Sequence, residues 1–423
     1  MDSRIEGFYK LEPRERLSAV ADRAGLSAAA VDQLQNTGLD LESASDVSEN
    51  VIGTLEYPLG IATNFRIDGS DRLIPMAIEE TSVVAAASYA ARMARETGGF
   101  ETHVSGPKMI AQIQATGVSA PESAKVKILR ESDDLIDLAN EQDPVLVEHG
   151  GGCEEIEVRV VETPRGAMLV VHLIVDVRDA MGGNAVNTMA EALAPEIERL
   201  TRGDVSLRIL SNLADRRLAR ATCTIPPAAL ESDETSLSGA AVRDRIVDAW
   251  AFAAGDPYRA ATHNKGIMNG IDAVATATFN DWRAIEAGAH AYAARDGYGP
   301  LTSYEVDADE NLACTIELPI QVGTVGGATR LHPVAQAAMD ILDVESADEL
   351  AGIFAAVGLA QNLGGLRALV SEGIQAGHMS LHAKNIATQA GAPEHLVDEI
   401  AAQLVAEEAV RQDRAEELID EYT

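Results

Sequence analysis

The chain of 423 residues is short of positive charge, and of lysine above all. It carries 33 basic residues against 67 acidic ones, a formal net charge of −34. Only six of the basic residues are lysines, which leaves arginine as the usual cation. Gripping a phosphate backbone requires a basic face, so the composition argues against nucleic acid as a partner. It argues equally against an anionic membrane surface. Cysteine is also scarce: Cys153, Cys223 and Cys314 are far apart, with no CxxC and no Cys/His spacing of a zinc site. No metal is expected, and free thiols fit a reducing compartment. No run of 18 apolar residues occurs, and the segment starting Met1-Asp2-Ser3-Arg4 has no apolar signal core. The expected location is therefore cytoplasmic, with no membrane span. Aromatics make up only 4%. The core must rest on Ala, Val, Leu and Ile, and alanine favours helix, so helix is expected to outweigh strand.

What is present is enough for a large core. Hydrophobic residues make up 46% of a chain long enough for two or three domains. The acidic surplus is spread along the sequence. Such a surface aids solubility. It also suits a salt-rich cytoplasm, where the screening length falls to about 3 Å at ~1 M salt and self-repulsion fades.

The pattern divides the chain. Residues 12–36 read as two short helices, with Pro13 at a first helical position and Ser27 as an N-cap. Thr81-Ser82 is placed to cap a helix over 83–95 that Gly98-Gly99 stops. Strand character then appears at 108–117, 126–129, 156–161, 168–175, 205–210 and 219–225, with helices expected at 131–141 and 184–200. This marks a compact α+β unit over 105–215, inserted between helix-rich flanks. Helices are expected again at 237–254, 281–294, 332–343, 347–357 and 360–371, with a strand pair at 300–306 and 312–319. Gly377 reads as a hinge before a charge-dense helical segment suited to a mobile cap.

A few short segments carry chemistry. Lys265 stands in Thr262-His263-Asn264-Lys265-Gly266, followed closely by Asn280-Asp281-Trp282-Arg283. Lysine is a point charge that can lose its proton, which arginine cannot, so a lone lysine in an arginine-rich chain points to a reactive role. Glu79-Glu80 precede a helix start. Acids there ordinarily meet the helix dipole, but Ala77-Ile78 would draw one inward, where a carboxyl can donate a proton near neutrality. Gly150-Gly151-Gly152, Gly182-Gly183-Asn184 and Gly326-Gly327 are places where backbone can approach a phosphate, the second at a helix N-terminus. None is a GxGxxG, so no Rossmann fingerprint is present. His378 and His382 are four apart but lack the glutamate of HExxH; His378 alone suits a general acid on a mobile segment. No GxSxG surrounds Ser82 or Ser211.

Taken in order, these segments resemble the soluble, bacterial-type (class II) 3-hydroxy-3-methylglutaryl-CoA (HMG-CoA) reductases over nearly the whole chain. The motifs include Glu49-Asn50-Val51-Ile52-Gly53-Thr54, the 79–90 run, Asp176-Val177-Arg178-Asp179-Ala180-Met181-Gly182, the 258–272 segment, 323–329 and Glu372-Gly373-Ile374-Gln375-Ala376-Gly377-His378-Met379. The resemblance implies an α+β fold: a helix-rich large domain over 1–104 and 216–374, an inserted ferredoxin-like cofactor domain over 105–215, and a mobile helical C-terminal segment over 375–423. It implies the four-electron reduction of HMG-CoA to mevalonate and CoA by two NAD(P)H, or the reverse. In that reading Lys265 stabilises the oxyanion, Glu80 supplies protons, Asp281 holds and tunes Lys265, and His378 protonates the departing CoA thiolate. Ser82, Asn212, Arg259, Asn269 and Gln361 match positions near the substrate. Asp179, Met181, Gly182, Asn184 and Asn187 match the nicotinamide-cofactor segment. Asp143 matches a position facing the adenosine ribose, where a carboxylate favours NADH over NADPH. A homodimer, or an assembly of dimers with shared sites, is expected. A reductase of another acyl-CoA and a non-catalytic CoA-ligand-binding protein are the alternatives. The second sits poorly with four chemically distinct groups that mere binding does not need.

Overall fold

Two four-stranded sheets with separate apolar cores organise the chain. The computed structural model describes residues 1–36, 39–231, 236–326, 329, 331–371, 383–407 and 409–422. A hairpin of β1 (Leu59–Ile67) and β2 (Ser70–Ala77) comes first. One sheet has the order β3 (Glu101–Val104), β8 (Leu218–Ile225), β10 (Leu312–Pro319), β9 (Thr302–Val306), with every neighbouring pair antiparallel. Its strands alternate as one-faced strands should: Ala219, Ala221, Cys223 and Ile225 are buried along β8. Against them packs a core shared with helices Val83–Arg95, Pro257–Ala277 and Ala347–Ser371. The last is one continuous helix where the sequence suggested two. It is long and apolar enough to cross a membrane, but it is mostly buried inside this core.

The second sheet has the order β5 (Gly152–Thr163), β6 (Gly166–Asp176), β4 (Lys108–Thr116), β7 (Asp204–Ser211), again wholly antiparallel. With helices after β4 and after β6, this is the βαββαβ order of a ferredoxin-like sheet. Its apolar cluster draws only on residues between Met109 and Ala214. Residues 126–129, read above as strand, instead lie inside helix Pro121–Arg130. Pro121 opens that helix, and Ala124 and Ile128, four apart, are its buried stripe. The β-branched residues there were misleading because burial at period four overrides local preference. Beyond residue 383, Ala387, Ile400, Leu404, Ala415 and Leu418 form a small cluster of their own.

Candidate active site at the junction of the two sheets

Helix Pro257–Ala277 buries Ala260, His263, Asn264, Ile267, Met268 and Ile271, which leaves Lys265 on the opposite, open face. The Lys265 ammonium lies 3.1 Å from the Glu80 carboxylate. Glu80 comes from the turn between β2 and helix 83–95, so the pair joins segments 185 residues apart. Both side chains are open to solvent, Lys265 at 61% and Glu80 at 40%. The inward pull expected of Ala77-Ile78 is not seen: β2 ends at Ala77 and the chain turns outward over 79–82. Exposed pairs add little stability.

Ser82 follows in the left-handed region, φ 72°, with no side-chain cap on the helix it precedes, contrary to the capping role expected of it. Serine rarely adopts that backbone, and such strain collects at functional sites. Asp281 does cap its helix, Trp282–Ala293, accepting from the Ala284 N–H at 3.1 Å. It lies 3.4 Å from the Arg283 guanidinium. The expected ion pair with Lys265 is not formed; among the described residues Lys265 pairs with Glu80. The adjacent Asn280 accepts from the Gly323 N–H at 2.9 Å. A Cβ on Gly323 would meet the Met181 nitrogen at 2.6 Å, so only glycine permits the approach. The Lys265 region is thereby tied to the 180–184 segment.

At that segment Gly182 has φ 96° and precedes helix Gly183–Thr201, and a side chain there would meet Val177 at 2.5 Å. No side chain caps this helix, which keeps its first-turn N–H groups uncovered for an anionic or amide group. Asn184 is exposed beside it and Met181 is half-buried. These features fit a nicotinamide nucleotide. Two of the residues expected to touch one are otherwise engaged. The Asp179 carboxylate accepts from the Ala347 N–H at 2.8 Å, and Asn187 accepts from the Leu210 N–H at 2.8 Å. Asp143 caps a short helix through the Leu146 N–H at 3.0 Å. The space expected for phosphate beside Gly150-Gly151-Gly152 is filled by the chain itself: a Cβ on Gly151 would meet the Asp176 carbonyl at 2.7 Å, and one on Gly152 the Asn140 side chain at 2.5 Å.

The other expected substrate contacts divide. Arg259 is half-buried, burial lowers its pKa, and it has no anionic partner among the described residues. Asn269 is half-buried on the Lys265 helix, and the Asn212 side chain is exposed. Gln361 is buried where helix 347–371 meets Gly270, with its side-chain oxygen unpaired. Gln321, which drew no attention in the sequence, donates to the carbonyls of Asn212 at 3.1 Å and Ala284 at 2.6 Å, so it locks the Asp281 helix to the 212 turn. His378 and His382 lie outside the described residues. Among the described residues no cluster of His, Cys, Asp and Glu could hold a metal.

A half-buried acid pair joins Asp272 of the Lys265 helix to Glu286 of helix Trp282–Ala293. Burial, then the hydrogen bond its protonated carboxyl donates to Glu286, pushes the Asp272 carboxyl up to about 8. His290, 2.7 Å from Glu286, draws that second acid below its usual value, and His290 in turn meets Tyr298 at 2.8 Å. Unfolded, both acids ionise near pH 4. Folded, Asp272 keeps its proton to about pH 8. The folded state therefore binds the extra proton between these limits, and stability falls as pH rises through that window and then levels. Asp272→Asn is expected to flatten the fall in Tm, which for one proton is worth at most about 1.4 kcal/mol per pH unit, less for partial exposure. Unchanged slopes in melting curves across the window would remove the shared proton.

The family model for hydroxymethylglutaryl-coenzyme A reductase matches residues 12–383. The 3-hydroxy-3-methylglutaryl-coenzyme A reductase of Archaeoglobus fulgidus is 57% identical over 420 residues, covering 99% of this chain and 95% of that one. A probable reductase of the same name from Borreliella burgdorferi is 35% identical over 342 residues, 80% of this chain and 77% of that one. A solved reductase structure from Streptococcus pneumoniae superposes with a TM-score of 0.84 at 40% identity, covering 99% of both chains. A class II structure from the same organism, bound to NADPH in open conformations, gives 0.83 at 42% identity, with 86% of this chain and 99% of that one covered. The chain belongs to the hydroxymethylglutaryl-coenzyme A reductase family, NAD(P)-dependent oxidoreductases that reduce HMG-CoA to mevalonate.

Proposed function

We propose that the Lys265–Glu80 pair is the reacting centre of this reduction, and the 3.1 Å contact between an exposed lysine and an exposed glutamate carries the proposal. NAD(P)H supplies two hydrides in succession. Lys265 stabilises the negative oxygen left when the thioester carbon is reduced. Glu80, already hydrogen-bonded to Lys265, donates to that oxygen, takes the proton back as the aldehyde forms, and gives it up when the aldehyde is reduced to the alcohol. Asp281 holds the Lys265 charge once substrate and the C-terminal segment rearrange the site. His378 protonates the CoA thiolate, and the 375–423 segment closes over the site. Arg259 accepts a substrate anion, which supplies the counter-charge its half-buried guanidinium lacks. Ser82, Asn212, Asn269 and Gln361 complete the substrate side, and the 180–187 segment the cofactor side.

The proposal extends to cofactor choice and assembly. Asp143 would accept from a ribose hydroxyl and repel a 2′-phosphate, so NADH is the preferred donor. The protein is cytoplasmic and works as a homodimer. In the Glu49–Thr54 motif Ile52 is 98% exposed, and Leu55 just beyond it is 85% exposed, apolar side chains that a second copy would cover. The acidic surface calls for molar salt. In such buffer the protein is expected to oxidise NADH faster than NADPH, strictly dependent on HMG-CoA, and Asp143→Ser is expected to narrow the ratio. No oxidation with either nucleotide, from folded protein, would move the case to another acyl-CoA. An unchanged ratio would discard Asp143.

A further inference from the structure

Arg217 stands between the last strand of the inserted sheet and the first residue of β8. It is 1% exposed, an extreme burial for arginine. Among the described residues no carboxylate accepts a hydrogen bond from it. Its guanidinium donates instead to three backbone carbonyls from two parts of the chain: Ala180 at 3.1 Å, Met181 at 3.3 Å and Val322 at 2.6 Å. The Nε–H is buried and unpaired. The first two carbonyls belong to the turn that launches helix 183–201. The third precedes Gly323, whose close approach to Met181 was described above. Burial pulls the Arg217 pKa down to about 10, while Asp348, Asp176 and Asp179 act to raise it, so it stays cationic at neutrality.

A buried cation is costly unless its position repays it. No other side chain carries donors in a planar fork able to hold three carbonyls at once. We infer that Arg217 is a positioning residue for the pyridine nucleotide: it bolts the 180–182 turn to the large-domain backbone at Val322 and so sets where the N-terminus of helix 183–201 points. The inference rests on the reading that this N-terminus receives the nucleotide. It acts through backbone carbonyls and touches neither substrate nor reacting atoms. Nearby carboxylates from Asp179 and Asp348 reinforce the junction, since Asp179 also caps helix 347–371.

The test uses the full chain with Arg217→Met, which removes all the donors, and Arg217→Lys, which keeps the charge and part of the bonding. Arg217→Met is expected to raise the NADH dissociation constant and KM by about ten-fold or more, with the KM for HMG-CoA within about two-fold, since binding groups displaced by about 1 Å lose much of their effect. Arg217→Lys is expected to fall between it and the parent. Without any nucleotide, amide exchange over 180–186 is expected to accelerate while helix 347–371 stays protected. Both KM values moving together, exchange rising throughout, or a parental NADH dissociation constant would each overturn the inference. If Arg217→Met does not fold, Arg217→Lys decides by the same split. Asn184→Ala separates the two layers. Weakened NADH binding in that variant with none in the Arg217 variants refutes the bolt alone. No change in any of them refutes the nucleotide reading beneath it.

Discussion

Lys265→Ala is expected to lower kcat for thioester reduction by about 10²–10³-fold or more, the usual cost of removing one donor from an oxyanion site. Stability should hardly move, because the Lys265–Glu80 pair is exposed and such pairs are worth about 0–1 kcal/mol. That combination distinguishes a reacting cation from a structural one. Hydride delivery to a carbonyl carbon places a full negative charge on oxygen, and a point cation beside that oxygen gains most as the charge develops. A binding-only protein has no such gain. Its ligand affinity would survive the substitution, and it would show no turnover to lose. Lys265→Arg is a second arm. Its charge is retained, but the planar guanidinium holds it at a different distance and cannot release a proton, so turnover should still fall steeply. Steady-state rates at saturating nucleotide, read beside a melting curve, check both. Near-parental turnover in either folded variant would remove Lys265 from the oxyanion role.

Much of this site was visible in the sequence because it is written in local composition. Lys265 stands out only because lysine is rare here, and the Asn280-Asp281-Trp282-Arg283 run is distinctive by itself. Strand alternation in β8 and the apolar run of β6 are likewise local, and most strands between 105 and 215 follow from such signals, residues 126–129 excepted. What the sequence concealed are contacts between distant residues. Nothing near Arg217 announces that it will hold Ala180, Met181 and Val322, and nothing near Asp179 announces Ala347. Asp281 illustrates the same limit from the other side. Its presence was legible, but its partners, Ala284 and Arg283, are set by a helix start. Gly150-Gly151-Gly152 read as room for a phosphate because a glycine run looks empty. In the fold that room is taken by Asp176 and Asn140. A flexible sequence and a tightly packed backbone demand the same residue, and only the third dimension separates them.

Glu80→Gln is expected to cost about 10²–10⁴-fold in kcat, the range for loss of a positioned general acid. Glutamine keeps the shape and can still accept from Lys265 at the 3.1 Å position, so substrate KM and melting temperature should stay near parental values. The reaction's proton balance makes a sharper demand. Converting HMG-CoA and two NAD(P)H to mevalonate and CoA consumes two protons: one ends on the new alcohol and one on the thiol. In both reductions the oxygen takes up negative charge and needs a donor beside it: in the first it gives the proton back as the hemithioacetal collapses to the aldehyde and releases the thiolate, and in the second it keeps it. A residue serving that oxygen is needed in both half-reactions, whereas a residue serving sulfur is needed in one. Glu80→Gln should therefore slow reduction of HMG-CoA and of free mevaldehyde alike. His378→Gln should slow the first and spare the second, because mevaldehyde has no thiolate to protonate. Measured side by side, the two variants assign the two protons. Full mevaldehyde reduction by Glu80→Gln would transfer the oxygen-side proton to another group, and Asp281, which stands at the helix start that follows Lys265's own helix, would then be the next residue to replace.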